Sequence, residues 1–152
     1  MPKRTDSASR HIAASPAAIY AAFIDPAQLM QWLPPGNMSG RALEFEPHEG
    51  GRYRIELTYR DETKGKTGDR TDVSGGRFLE LDPGRKIVWS VDFESDDPAF
   101  AGTMIMTWLL EPSQGGTKVT ITAEDVPSGI SKADHDEGLN ATLANLADYF
   151  GE

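Results

Sequence analysis

Apolar and polar residues alternate in short runs through the middle of this chain, and only the stretch 131–150 changes to a helical repeat. Leu43 and Phe45 alternate with Glu44 and Glu46. After a turn over 47–51, Tyr53, Ile55, Leu57 and Tyr59 alternate with Arg52, Arg54, Glu56 and Thr58. Stretches 73–81 and 85–93 form the next pair, joined at Asp82-Pro83-Gly84, with Ile87, Trp89, Val91 and Phe93 on one face. Met104, Met106, Trp108 and Leu110 repeat the pattern, and Val119, Ile121 and Ala123 complete it beyond a turn over 112–116. A period of two with one apolar phase marks half-buried antiparallel strands, here six in a meander. In the last stretch Leu139, Leu143, Leu146 and Phe150 recur at spacings of four, three and four, which places them on one stripe of a helix.

Before the meander the punctuation is helical. Ser15-Pro16 reads as an N-cap followed by proline at the first helical position, with Ile19, Tyr20 and Phe23 as the buried face. Asp25-Pro26 repeats the signal. Gln28 stands three residues after Asp25 as in a capping box, ahead of Leu29, Met30, Trp32 and Leu33, and Pro34-Pro35-Gly36 ends the run. A short first strand is expected over 10–14. Charged stretches at 61–72 and 94–102 read as loops. The final helix opens at Ser131, with Asp134, Asp136 and Glu137 where its macrodipole favours negative charge. Gly138 inside it costs about 1 kcal/mol relative to alanine, which predicts a close approach there by sheet backbone or ligand. The expected fold is α+β: a curved antiparallel sheet wrapped around one long C-terminal helix, two short helices after the first strand, and an internal pocket left between helix and sheet.

Composition narrows the chemistry. At 152 residues the chain fits a single domain spanning 1–152, with a core over about 10–150. Zero cysteines remove disulfides, thiol nucleophiles and Cys-ligated metals. Residues 1–10 are polar, without the apolar centre of a secretion signal, and no run approaches a membrane span, so a soluble cytoplasmic protein is expected. A net charge of −9 repels phosphate backbones and anionic lipid surfaces, which argues against nucleic-acid and membrane partners. His11 and His48 have no metal-site spacing, so neither a metal nor a cofactor is expected. Gly65-Lys66-Thr67 imitates the end of a phosphate-binding loop, but Arg60 stands where the leading glycine belongs. No Gly-x-Ser-x-Gly string occurs. The sequons at Asn37 and Asn140 carry no weight without secretion.

Several local strings add a resemblance. Ser15-Pro16-Ala17-Ala18-Ile19-Tyr20-Ala21-Ala22-Phe23, Asp25-Pro26, Gln31-Trp32-Leu33-Pro34, Gly50-Gly51-Arg52-Tyr53, Arg77-Phe78-Leu79-Glu80-Leu81-Asp82-Pro83, Lys86-Ile87-Val88-Trp89 and His135-Asp136-Glu137-Gly138-Leu139 occur in that order. Together they resemble the START-like, or SRPBCC, superfamily, in the branch related to the C-terminal domain of activators of the heat-shock-protein-90 ATPase. That resemblance implies the helix-grip fold and a hydrophobic or amphipathic small molecule, such as a lipid, held in a cavity under the long helix. Some members are cyclases or hydrolases, and a co-chaperone-like role on an Hsp90-type ATPase is implied by the branch alone. This chain departs from the family in having Leu139 where tryptophan often follows the helix glycine.

The candidate cavity lining is Trp32, Tyr53, Tyr59, Trp89, Phe93, Met104, Met106 and Trp108 from the short helices and sheet, with His135 and Leu139 from the long helix. Methionine adapts to irregular ligands, and tyrosine and tryptophan add a polar handle to an apolar wall. Any one of these residues could equally be core packing. His135 shares the stripe of Leu139 and could work as a hydrogen-bonding or acid–base group, although a solvated histidine in the first turn is the simpler reading. A non-catalytic binder ranks first, an enzyme using the same cavity second and an interaction domain third. No catalytic residue is assigned, and self-association as a homodimer stays open.

Overall fold

The computed structural model describes residues 4–34, 38–59 and 71–151. Asn37, Arg60, the Gly65-Lys66-Thr67 string and positions 61–70 of the expected loop lie outside the described residues. The elements run β1 (Arg4–Ile12), α1 (Pro16–Ile24), α2 (Pro26–Trp32), β2 (Met38–Phe45), β3 (Arg52–Tyr59), β4 (Thr71–Asp82), β5 (Lys86–Phe93), β6 (Met104–Ser113), β7 (Gly116–Val126) and α3 (Lys132–Tyr149). The strands form one antiparallel sheet in the order β1-β7-β6-β5-β4-β3-β2. This is the expected α+β helix-grip arrangement, with the six-strand meander intact and β1 added beside β7.

Local chemistry explains the element boundaries. Ser15 Oγ accepts from the Ala18 amide at 3.1 Å, and Asp25 accepts both from the Ala27 amide and from the Gln28 side chain. At α3, Ser131 Oγ accepts from the Asp134 amide at 3.1 Å. The β6–β7 hairpin turns on Gln114 (φ 44°) and Gly115 (φ 79°), two left-handed residues as a tight two-residue hairpin requires.

Two expectations about the strands change. The first strand covers Arg4–Ile12 rather than 10–14. It is an edge strand whose inward phase at Asp6 and Ala8 carries no large apolar residue, so alternation alone does not mark it. The expected loop over 61–72 is shorter at its end, because Thr71 and Asp72 already belong to β4.

Paired residues on neighbouring strands share a face, so the register spells out the inner wall. One row runs Phe78, Trp89, Met106, Ala123, Asp6 across β4, β5, β6, β7 and β1. The next runs Ile87, Trp108, Ile121, Ala8. Helix α3 lies alongside β1 and buries Leu139, Leu143, Leu146 and Ala147. It is tied down at both ends. Near its start His135 meets Asp6, and near its finish Asn145 Nδ2 donates to the Pro34 carbonyl at 2.9 Å while the Tyr149 hydroxyl donates to Gln28 Oε1 at 2.9 Å.

Leu143 is fully buried at the centre of this stripe. Truncation to alanine removes its transfer free energy and leaves a cavity, so Leu143→Ala should cost about 2–5 kcal/mol in chemical denaturation. A loss below about 1 kcal/mol would show that α3 does not close the core.

Candidate functional site

The inner wall is built around Phe23 of α1. Its ring lies 5.9 Å from Trp32, 4.8 Å from Trp89 and 5.0 Å from Trp108, centroid to centroid. Tyr53 stacks on Trp89 at 4.2 Å, so β3 and β5 are joined by rings as well as by the strand between them. Of the ten lining residues anticipated from sequence, Trp32, Tyr53, Trp89, Met104, Trp108 and Leu139 are buried, whereas Tyr59, Phe93, Met106 and His135 keep part of their surface.

The polar handles on this wall are mostly committed. The Trp32 indole donates to the Ala22 carbonyl at 3.2 Å, which fixes α2 against α1. The Tyr53 hydroxyl donates to the Ser90 carbonyl at 2.6 Å. Burial pushes the Tyr53 phenol well up, and the Asp92 carboxylate adds to this, so the group stays protonated. The Tyr59 hydroxyl lies 3.5 Å from Asp72 Oδ2, and Asp72 is itself buried on the inward phase of β4 opposite Leu57.

His135 is not the solvated first-turn residue that its position suggests. Its Nδ1 lies 2.7 Å from Oδ2 of Asp6, a carboxylate only 1% exposed. Arg4 Nε donates to both Asp6 oxygens, at 2.8 and 3.0 Å, and Arg4 Nη2 donates to the Ile130 carbonyl at 2.6 Å. Lys132 Nζ stands 3.8 Å from the same carboxylate. Burial by itself raises the Asp6 carboxyl, but hydrogen bonds from Arg4 and His135 and their charges outweigh it and leave the group below its ordinary value. Asp6 escapes the sequence reading because it lies in a polar segment. Its only signal there is the weak alternation of Asp6, Ala8 and Ile12. Among the described residues no group of three histidines or carboxylates could hold a metal ion.

The middle of α3 is different from its ends. A Cβ built on Gly138 would meet nothing within 4 Å among the described residues, so the expected close approach by the sheet does not occur. On β6, Met106 is only partly buried although its row neighbours Trp89 and Ala123 are buried at 3% and 0%. A separate shallow depression lies on the outer face, where Arg54 crosses Gly75 to reach Glu94 at 2.7 Å.

Two consequences can be measured. Asp6→Asn should cost about 2 kcal/mol near neutral pH, the scale of hydrogen bonds to a buried charge. Because the folded carboxyl sits below its unfolded value, the stability it contributes is complete above the ordinary carboxylate range and is lost as pH falls through the folded pKa. The gap between wild type and Asp6→Asn in denaturation should therefore close on acidification. A gap that stays constant down to about pH 2 would contradict this pairing. Gly138→Ala should stabilise by about 0.5–1 kcal/mol, since the added methyl group meets no neighbour and helix propensity improves. Destabilisation would show that the space is filled.

Comparison with known proteins follows this geometry closely. A crystal structure of a protein from Chromobacterium violaceum is 32% identical, with 97% of each chain covered and a TM-score of 0.87. A protein from Rhodobacter sphaeroides shares 23% identity over 97% of this chain and 93% of that one, with a TM-score of 0.78. A solution structure described as an AHSA1-like protein, from Aeromonas hydrophila, shares the fold at 18% identity, a TM-score of 0.74 and coverage of 96% and 91%. No curated protein matches the chain. Residues 13–151 match the family of Activator of Hsp90 ATPase homolog 1-like proteins, so β1 and Asp6 precede the matched region while the aromatic wall and α3 lie within it. The chain thus belongs to the Activator of Hsp90 ATPase homolog 1-like family.

Proposed function

We propose that this protein binds a hydrophobic or amphipathic small molecule, without chemical conversion, in the hollow between α3 and the inner face of the sheet. The observation that carries this reading is Met106, only partly buried in the middle of an otherwise buried row. The open flank at Gly138, one position before buried Leu139, agrees with room beside the helix. Trp89, Met104, Phe93 and Leu139 would supply apolar contact, and each Å² of apolar ligand surface removed from water contributes about 25 cal/mol before ordering costs. His135, held by Asp6, would border the same hollow as a polar group of set orientation. Membrane insertion plays no part in the reading; among the described residues no helix is long and apolar enough to cross a bilayer.

Docking on a larger ATPase, as the family description suggests, finds less support in the surface. Among the described residues the exposed large apolar side chains are Leu43, Leu79 and Tyr149, which sit on three different elements rather than in one patch.

Native mass spectrometry of gently purified protein tests the binding reading. The expected spectrum contains a species heavier than the bare chain by one small molecule. In Met106→Trp, where an indole would fill the space beside the partly exposed methionine, that species should vanish while the thermal midpoint is preserved. Bare protein alone, combined with no change of tryptophan emission on adding naphthalene, would refute it.

A further inference from the structure

Where the β6–β7 hairpin lies beside β1, an open depression of about 390 Å³ is lined by Ser9, Arg10, His11, Ser113, Gln114 and Lys118. Three of these six side chains are basic, the others are neutral hydrogen-bonding groups, and none is a carboxylate. In a chain with 24 acidic residues against 15 lysines and arginines, such a lining stands out. His11 and Lys118 are direct partners across β1 and β7, so their side chains leave the same face. They alternate with buried Ile12 and Val119, which places them on the outer phase of the sheet, away from the hollow.

The two permanent cations of this lining are unpaired. Arg4, Arg41, Arg54, Arg85, Lys86 and Lys132 each meet a carboxylate, whereas Arg10 and Lys118 form no ion pair among the described residues. Glu111 is the direct partner of Lys118 on β6, yet the two form no ion pair, and Lys118 lines the depression on its β1 side instead. His11 is held in a set orientation. Its Nε2 donates to the Ser113 carbonyl at 2.8 Å, and Gly116 makes room for the ring, since a Cβ there would stand 3.0 Å from His11 Cε1 and 3.1 Å from Nε2. A carbonyl only accepts, so Nε2 carries the proton, and Nδ1 has no partner among the described residues.

These groups define the ligand by size and charge. The field of the whole acidic molecule opposes extended polyanions, but a small anion within a Debye length of about 8–10 Å meets the local cations first. A phosphate monoester carries a charge of about −1.5 to −2 at neutral pH, three acceptor oxygens and a proton that titrates near pH 6. Two cations and several neutral donors match the oxygens; His11 Nδ1 can accept the phosphate proton when the ring is neutral, or donate its own when the ring is charged. A carboxylate offers a single charge and two oxygens. We propose that this depression binds the phosphate group of a small phosphorylated molecule, with Arg10 and Lys118 supplying the charge and His11 a positioned hydrogen bond. The site stands independently of ligand binding in the hollow.

Titration of ¹⁵N-labelled protein with glycerol 3-phosphate, inorganic phosphate and acetate at fixed ionic strength tests it. Both phosphate probes should shift the amides of 9–11, 113–114 and 118 and the His11 ring nitrogens saturably, with a dissociation constant of about 1 mM or tighter. Acetate should bind about tenfold more weakly. Arg10→Gln and Lys118→Gln should each weaken phosphate binding about tenfold, the scale of one hydrogen bond between charged groups. Glu111→Gln, outside the lining, should not weaken it. All three positions are exposed, so the thermal midpoint should hold in each variant. Unchanged affinity in both cation variants, acetate binding as tight as phosphate, or no saturable shift at these residues would overturn the proposal. Vesicles containing phosphatidic acid form a second arm, in which no cosedimentation is expected. Cosedimentation that is lost in Lys118→Gln would assign the phosphate to a lipid headgroup and overturn its assignment to a small free molecule.

Discussion

One helix stripe cannot cover the inner face of a seven-stranded sheet, and most of this structure follows from that mismatch. The buried stripe of α3, Leu139, Leu143, Leu146 and Ala147, satisfies the edge around β1. Toward the other edge the cover comes from α1 and α2, whose Phe23 and Trp32 meet Trp89 and Trp108 of the central strands. Aromatic side chains suit this task because each covers roughly 150–250 Å² with few rotatable bonds. Met106, on a central strand, is the residue of this row that neither cover fully buries.

The position of α3 is set by polar ties at its two ends, to Asp6 and to the end of α2, as well as by its buried stripe. The Asp6 tie offsets desolvation of a buried carboxylate with hydrogen bonds from Arg4 and His135. Removing either partner would leave that buried charge less well compensated. The same carboxylate orients the His135 ring, so this histidine owes its position to a residue on the first strand.

The sheet face is not uniform in packing. Ring contacts around Phe23 form a close-packed side with few alternatives, whereas Met106 and Phe93 retain part of their surface.

Strand order within the meander, both short helices with their caps, and the long helix with its apolar stripe were legible in the sequence, because each depends on residues close together in the chain. The inward phase of each strand was legible too, and Trp89, Met104 and Trp108 lie on it as their alternation requires. Asp6, the extent of β1, the pairing of His135 and the open flank at Gly138 were not. The histidine and its carboxylate are 129 positions apart and meet only because β1 crosses back to lie beside β7 under the start of α3. Whether Gly138 marks contact or space depends on how far a helix stands from a sheet, a distance set by every side chain between them and by no local pattern. Periodicity therefore determined which faces turn inward; the tertiary structure alone decided which inward groups touch, which stay unpaired and where room is left.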